Sequence, residues 1–191
     1  MPPSEVLLLM GPPGAGKGTQ AVKLARARKL HKISTGDMLR SHVGKGTDLG
    51  RKAKSIMEAG ELVPDDLIID MVRSELEAHK DSGVRVLLDG FPRTPEQASA
   101  LDMLLQEYGA PLTAAVLLEV DEKELVNRLS QRALEENRSD DDAATVIERM
   151  RVYREKTQPL LDYYDERVKL RRVNGMGTVE DVFARITEVL P

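Results

Sequence analysis

Short, continuous apolar runs separated by long stretches of helical spacing are the feature that most constrains the fold of this chain. Runs at 6–10, 86–88 and 114–118 contain no polar residue, as is typical of parallel strands that are buried on both faces of a sheet. Weaker runs lie at 30–33 and 169–173. The segments between them have the length and charge of helices: 16–28, 65–79, 95–108, 121–134 and 142–166. Because strand and helix alternate, we predict a doubly wound α/β fold.

Two stretches interrupt this alternation. Residues 44–64 have helical character without a strand, and residues 133–142 are short, polar and acidic. No internal repeat, low-complexity tract or Gly/Ser linker divides the chain. We therefore predict one domain with two inserts.

Composition limits the classes of ligand. With 28 basic and 32 acidic side chains the net charge is −4, which argues against broad electrostatic binding to nucleic acid or to an anionic membrane. An anionic ligand then needs a local cluster of donors. The absence of cysteine excludes disulfides, a thiol nucleophile and a cysteine-ligated zinc. With no signal peptide and no long apolar segment in the sequence, we expect a cytoplasmic protein.

The strongest chemical signal is the glycine-rich stretch at 11–19, Gly-Pro-Pro-Gly-Ala-Gly-Lys-Gly-Thr. It follows an apolar strand and leads into a helix, which is the context of a phosphate-binding loop: backbone N–H groups surround the phosphate and Lys17 reaches the terminal phosphates. The alternative is a tight strand-to-helix turn in which the glycines only mark the start of the helix. Gly18 stands where such loops usually carry Ser or Thr, and Thr19 comes one residue later, so the pattern does not favour direct ligation of Mg²⁺ by a hydroxyl.

Three motifs together, at 14–20, 34–40 and 89–93, resemble the adenylate kinase family, in the order in which the family has them. The resemblance extends over about residues 5–190 and is to the short-lid bacterial type. It implies a P-loop nucleoside monophosphate kinase fold with a five-stranded parallel sheet flanked by helices. It also implies an AMP-binding insert at 34–63 and a short lid at 133–142, on a core of 1–33, 64–132 and 143–191.

The implied activity is the reversible transfer of the terminal phosphoryl group of Mg²⁺-bound ATP to AMP, which gives two ADP. Mg²⁺ would arrive with ATP, Asp89 would hold its water shell without ligating it directly, and no structural zinc is expected. The small-molecule partners would be ATP, AMP and ADP, and we expect a monomer with neither nucleic acid nor membrane as partner.

The resemblance also assigns roles to individual residues. The ATP contacts would be Gly14, Ala15, Gly16, Lys17, Gly18, Thr19, Arg128, Arg132 and Gly177. The AMP contacts would be Thr35, Arg40, Glu61, Val63, Gly90, Arg93, Gln97, Arg138 and Arg149. The catalytic set would be Lys17, Arg93, Arg132, Arg138 and Arg149.

Several of these residues also have simpler interpretations. Thr35 is placed to cap a helix, and residues 94–97 fit a capping box in which Gln97 reaches back to Thr94. Arg128 and Arg132 would share a helix face, and Arg138 and Arg149 flank the acidic run at 140–142. On spacing alone, these arginines are also compatible with a solvated ion-pair face. Residues 174–177, expected near the adenine of ATP, fit a plain turn equally well. The three histidines, His31, His42 and His79, show no metal-ligand spacing, and no role is predicted for them.

An ionised acceptor phosphate needs no general base, so catalysis would consist of in-line positioning and charge stabilisation, with closure of the inserts excluding water. Three alternative functions remain at this stage. A UMP/CMP kinase shares the motifs but usually has Ala at position 35 and Asn at position 97. A shikimate-type kinase phosphorylates a small alcohol, and the phosphate-directed Arg40 and Arg93 argue against it. A catalytically silent nucleotide-binding protein would not require Lys17 and Asp89, so their presence argues against this alternative.

Overall fold

The computed structural model describes residues 4–80, 83–136 and 142–191, and the predicted parallel α/β fold is confirmed. The strands are β1 (Glu5–Met10), β2 (His31–Ser34), β3 (Arg85–Asp89), β4 (Ala114–Glu119) and β5 (Leu170–Asn174). They form one five-stranded sheet in the order β2-β3-β1-β4-β5, and every neighbouring pair is parallel.

The described residues also form helices, several of which flank this sheet. The helices are α1 (Lys17–Arg28), α2 (Thr35–Gly44), α3 (Asp48–Glu58), α4 (Asp65–His79), α5 (Pro95–Glu107), α6 (Glu122–Glu136), α7 (Ala143–Val152), α8 (Leu160–Glu166) and α9 (Val179–Val189). A short π-helix, Tyr153–Thr157, continues α7. None of the helices described has the length and apolar character needed to cross a membrane.

Two helix predictions need correction. The helical segment predicted over 142–166 is interrupted: α7 continues into the π-helix, and α8 begins only after Pro159, which has no N–H to continue the hydrogen-bond ladder. Helix α9 was not predicted at all. Its signal was present in the capping box between Thr178 and Asp181 and in the helical spacing of buried Val182 and Ile186.

Alternate residues of each central strand enter separate cores, which explains the continuous apolar runs. In β1, Leu8 packs into the core that α4 and α5 cover, whereas Leu7 packs into the core that α1 and α9 cover. Both side chains are completely buried. A strand of this kind has no solvent-facing position, so its sequence does not alternate.

The carboxyl ends of the strands carry the candidate functional segments. In the strand register Leu9 pairs with Asp89, and Asp89 pairs with Ser34, so the loops after β1, β2 and β3 leave the sheet at one level. Strand β1 lies between β3 and β4, beside the point where the chain crosses to the other half of the sheet. Ligands of open α/β sheets bind at such a point.

Candidate active site

The glycine-rich stretch forms a compact loop between β1 and α1. Gly14 and Gly16 have φ values of 83° and 93°, a region that L side chains rarely adopt. A Cβ atom on Gly14 would lie 2.9 Å from Leu129 Cγ, so α6 packs directly against the loop. Helix α1 begins at Lys17 with no side-chain cap. Its first N–H groups are therefore available to an anion in the cleft.

Lys17 occupies the centre of this loop. Its Nζ donates to the carbonyl oxygens of Gly11, at 2.9 Å, and Pro12, at 3.1 Å. Burial lowers the pKa of Lys17 to about 7; Asp89 opposes this shift, while Arg93, Arg149 and Arg132 add to it. Cations thus surround the lysine, and a phosphate group would relieve the repulsion among them.

Asp89 ends β3 and is 8% exposed. Its carboxylate interacts electrostatically with Lys17, and its Oδ2 would lie 3.8 Å from a Cβ atom on Gly18. This carboxylate oxygen beside the phosphate loop suits the oxygen chemistry of hydrated Mg²⁺, which keeps several waters and uses few protein ligands. The carboxylate of Asp89 fits the Mg²⁺ that the resemblance implies.

Two clefts meet at the phosphate loop. One is lined by every described residue predicted to contact AMP: Thr35, Arg40, Glu61, Val63, Gly90, Arg93, Gln97 and Arg149. The other is lined by every residue predicted to contact ATP: Gly14, Ala15, Gly16, Lys17, Gly18, Thr19, Arg128, Arg132 and Gly177. Lys17, Arg93 and Arg149 line both clefts. Arg138 lies outside the described residues, so its predicted role stays a prediction.

Gln97 is held by hydrogen bonds that differ from the predicted capping box. Thr94 caps α5 as expected, since its Oγ1 accepts from the Gln97 N–H at 3.2 Å. The reciprocal bond was predicted wrongly: Gln97 Oε1 accepts from the N–H of Arg93, at 2.8 Å, and not from that of Thr94. Gln97 Nε2 donates to Asp65 Oδ1 at 2.7 Å. Gln97 is 2% exposed, and its carboxamide is oriented from both ends.

Thr35 does not cap α2. Ser34 caps α2 by accepting from the Asp37 N–H, and Thr35 Oγ1 instead donates to the Gly90 carbonyl at 2.9 Å. A Cβ atom on Gly90 would lie 2.9 Å from Arg93 Nη2 and 3.2 Å from Thr35 Oγ1. Glycine at this position lets the two side chains converge on the β3 end.

Asp65 is the functional candidate that sequence reasoning missed. Besides accepting from Gln97, it accepts from Thr94 Oγ1 through Oδ2 at 3.2 Å. In the sequence it follows Val63 and Pro64 and looks like an acidic first-turn residue of α4. Its contacts with α5 come from tertiary packing, and no local motif signals them.

The predicted ion-pair face describes Arg128 only in part. Arg128 does pair with Glu124 one helical turn away, at 2.8 Å. Its guanidinium also donates to the carbonyl oxygens of Gly175, at 3.0 Å, and Ala15, at 3.4 Å. Arg128 therefore bridges the phosphate loop and the turn after β5, which places that turn at the ATP-side cleft.

The other predicted AMP contacts differ in how they are held. Arg40 donates to Asp37 at 2.6 Å. Partial burial raises the pKa of Asp37, but hydrogen bonds from Arg40 and Lys32 outweigh it and lower that pKa to about 2. Glu61 accepts from Arg151 and from Lys156, at 3.4 and 3.5 Å. Val63 is buried.

No role was predicted for the histidines, but tertiary packing brings two of them together. His31 and His79 are far apart in sequence, yet their rings stack with centroids 3.7 Å apart, and Glu75 lies beside both. Helix α4 and strand β2 bring these residues together at the end of β2 opposite the clefts, because His31 begins that strand.

Comparison with known proteins agrees with this geometry. The family model described as adenylate kinase matches residues 9–169. A protein of Thermus thermophilus named adenylate kinase is 53% identical over 186 residues, which covers 97% of each chain. Proteins of the same name from Deinococcus deserti, 50% identical over 96% of this chain and 95% of the relative, and from Synechococcus sp., 48% identical over 98% and 99%, match at similar length.

Proposed function

This chain belongs to the adenylate kinase family and catalyses the reversible transfer of the terminal phosphoryl group of ATP to AMP, and we propose that Lys17, Arg93, Arg132 and Arg149 carry that transfer. The observation that supports this assignment best is the position of Lys17, Arg93 and Arg149 on the walls of both clefts. Two nucleotides bound in the clefts would bring their phosphates together at these cations. The remaining residue of this set, Arg132, lines the ATP-side cleft and interacts electrostatically with Lys17.

No general base is needed in this arrangement. The accepting oxygen of AMP is ionised at neutral pH, so no proton has to be removed before it attacks the γ-phosphorus. The enzyme must instead align attacking and leaving oxygens and stabilise the charge on the equatorial oxygens, which fixed cations do well in a site that excludes water. Arg138 would join these cations from the short lid at 133–142.

Mg²⁺ bound to ATP would supply further neutralisation of the phosphate charge. In our proposal Asp89 accepts hydrogen bonds from the water molecules of that ion, because its carboxylate lies at the strand end beside Lys17 and Gly18. With Gly18 in the usual hydroxyl position, no side chain is assigned as a direct metal ligand.

Selectivity for AMP would rest on Gln97. Its bonds to Arg93 and Asp65 use one lone pair of Oε1 and one hydrogen of Nε2. A carboxamide has one more of each, and adenine presents the complement: an acceptor at N1 and a donor at the 6-amino group. Thr35 lines the same cleft, and Asp65 would act as a positioning residue that holds the Gln97 amide in this orientation.

Movement of the inserts completes the proposal. Residues 34–63, which include α2 and α3, would close over AMP, and the short lid would close over ATP, so that water does not accept the phosphoryl group. Thr145 of α7 donates to the Glu58 carbonyl at 3.1 Å. This contact links the AMP-binding insert to the helix that carries Arg149. We further propose a monomer that acts in the cytoplasm on small molecules alone, in keeping with its net charge of −4.

A coupled assay of ADP formation tests the substrate assignment. ATP with Mg²⁺ is supplied with AMP, UMP, CMP or shikimate in parallel, and each reaction is repeated without Mg²⁺. We expect efficient transfer to AMP alone and loss of activity without the metal. Equal use of CMP or UMP would replace this assignment by a pyrimidine nucleotide kinase, and transfer to none of the acceptors would indicate a nucleotide-binding protein without catalysis.

A further inference from the structure

Two histidines and a glutamate converge at the rim between β2 and α4. His31 is the first residue of β2, whereas Glu75 and His79 lie one helical turn apart near the end of α4. His31 lies on the same face of its strand as Ile33, which is buried in the core that α4 covers. The three side chains are only partly buried, so ions in solution have access to them.

The distances among these groups are those of a nearly assembled metal site. His31 Nε2 lies 3.0 Å from Glu75 Oε2. One ligand atom from each of the three residues lies within 4.8 Å of the other two. Ligands about 2.0–2.1 Å from a tetrahedral zinc ion stand roughly 3.3 Å from one another. The rings of His31 and His79 are stacked, with centroids 3.7 Å and planes 21° apart, so both would have to rotate about their side-chain torsions to present nitrogen atoms to one ion.

The orientation of His79 also suits a ligand. Its Nδ1 lies 2.8 Å from the backbone carbonyl oxygen of Glu75, so Nδ1 carries the proton and donates. Metal-binding histidines usually donate their other ring N–H to a carbonyl or carboxylate in this way, which fixes both ring orientation and tautomer.

We propose that His31, Glu75 and His79 form a binding site for a divalent transition-metal ion of the zinc class. Two imidazoles and one carboxylate are a zinc donor set, with the fourth position left to water. Imidazole ligands favour Zn²⁺ over Mg²⁺, which prefers oxygen. The Mg²⁺ that accompanies ATP would therefore not occupy this site.

A metal bound here would join α4 to the sheet. In the register of β2 and β3, His31 lies three residues before Ser34, the partner of Asp89, which is about 10 Å along the strand. None of the three ligands lines either nucleotide cleft. The site is thus separate from the phosphoryl-transfer machinery, and its effect would be on the stability of the α4–β2 packing.

Titration of Zn²⁺ into chelator-treated, nucleotide-free protein by calorimetry tests the site, in a buffer with excess Mg²⁺ that blocks oxygen-only sites. We expect one saturable site per chain and a rise in Tm on binding, because the ion would bind the folded state selectively. Co²⁺ as a spectroscopic probe should give the visible absorption of a four-coordinate site containing nitrogen ligands.

Separate variants His31→Gln and His79→Gln should each weaken Zn²⁺ binding at least about tenfold, as disruption of a metal site generally does. His42→Gln is the matched control, since His42 lies in α2 and its Nδ1 contacts Thr47; its Zn²⁺ affinity should be unchanged. If one variant fails to fold, the other still decides. Absence of saturable binding to the wild type, or equal affinity in all folded variants, would overturn the proposal.

Discussion

The two clefts of this protein are built by different means. On the ATP side the site is formed mainly by the backbone: Gly14 and Gly16 adopt positive φ, and carbonyl oxygens of the same loop hold Lys17. On the AMP side the recognition groups are side chains from separate elements, which bond to one another. Gln97 of α5 bonds to Asp65 of α4, and Thr35 of α2 bonds to the loop after β3.

This contrast has a physical reason. A phosphate is a highly charged, nearly symmetrical group, so a ring of N–H donors with a cation binds it without side-chain specificity. A purine base must be distinguished from other bases by the pattern of its donors and acceptors, and that pattern needs side chains whose orientation is fixed in advance. Substitutions on the ATP side should therefore lower the rate of phosphoryl transfer, whereas substitutions on the AMP side should lower the selectivity for AMP.

The largest effect is expected from Lys17→Met. Loss of a fixed cation at the transferred phosphoryl group should lower kcat by on the order of 10²-fold or more. Stability should not fall, because burial lowers the pKa of Lys17 and the charged form therefore destabilises the folded state below the pKa of the unfolded chain. Steady-state kinetics and thermal unfolding measure the two effects.

Lys23→Met, on the same helix, is the matched control, since Lys23 pairs with Glu180 away from the phosphate loop. Its kinetics should match those of the wild type. A Lys17→Met enzyme with normal kcat would remove the phosphate loop from the mechanism.

Gln97→Ala should act on the AMP side alone. Leaving the N1 and amino groups of adenine without partners costs about 1–3 kcal/mol, roughly 5- to 150-fold in KM for AMP. The preference for AMP over CMP and UMP should shrink by a similar factor, while KM for ATP stays unchanged. Gln106→Ala, in the exposed part of the same helix, should change neither constant. Equal increases in both KM values would mean that Gln97 serves the fold and not the base.

Asp65→Ala should give a smaller increase in KM for AMP, of about 2- to 10-fold, because it removes one hydrogen bond that orients Gln97 and leaves the carboxamide itself in place. If Asp65 acts through Gln97, the double variant with Gln97→Ala should be no worse than Gln97→Ala alone. Asp65→Asn, which keeps an acceptor for Gln97 Nε2, should restore most of the affinity. Asp66→Ala removes a charge from the same turn of α4 and is the control; additive effects in the double variant would contradict positioning.

The smallest expected effect is the uptake of protons by Lys17 when ATP binds. In the ligand-free protein the pKa of Lys17 is lowered to about 7, and bound phosphates would raise it by stabilising the ammonium. ATP binding at about pH 8 should therefore take up a fraction of a proton, and this uptake should fade as the pH falls below 7. Calorimetry in two buffers of different ionisation enthalpy measures it. Lys17→Met should abolish the uptake, and an uptake that survives in that variant must come from another group.

The sequence predicted those parts of the site that depend on a short, continuous stretch. The phosphate loop needs glycines at fixed offsets from Lys17 between a strand and a helix, so residues 11–19 predict its conformation locally. The carboxyl ends of parallel strands lie at one edge, so Asp89 and Arg93 could be expected near the loop as well. By contrast, the alternative capping interpretations of Thr35 and of the Gln97 side chain were wrong, because the polar atoms of these side chains hydrogen-bond to other partners in the folded chain.

The amino-acid sequence by itself thus determined the α/β class, the parallel sheet and the phosphate loop, since buried strands require unbroken apolar runs and a tight loop requires glycine at particular positions. Only the tertiary structure decided the partners of Gln97, the bridging contacts of Arg128, and the meeting of His31 with Glu75 and His79. Most of these contacts join residues that are tens of positions apart. They depend on how helices pack across a sheet, a geometry that no single segment of the chain encodes.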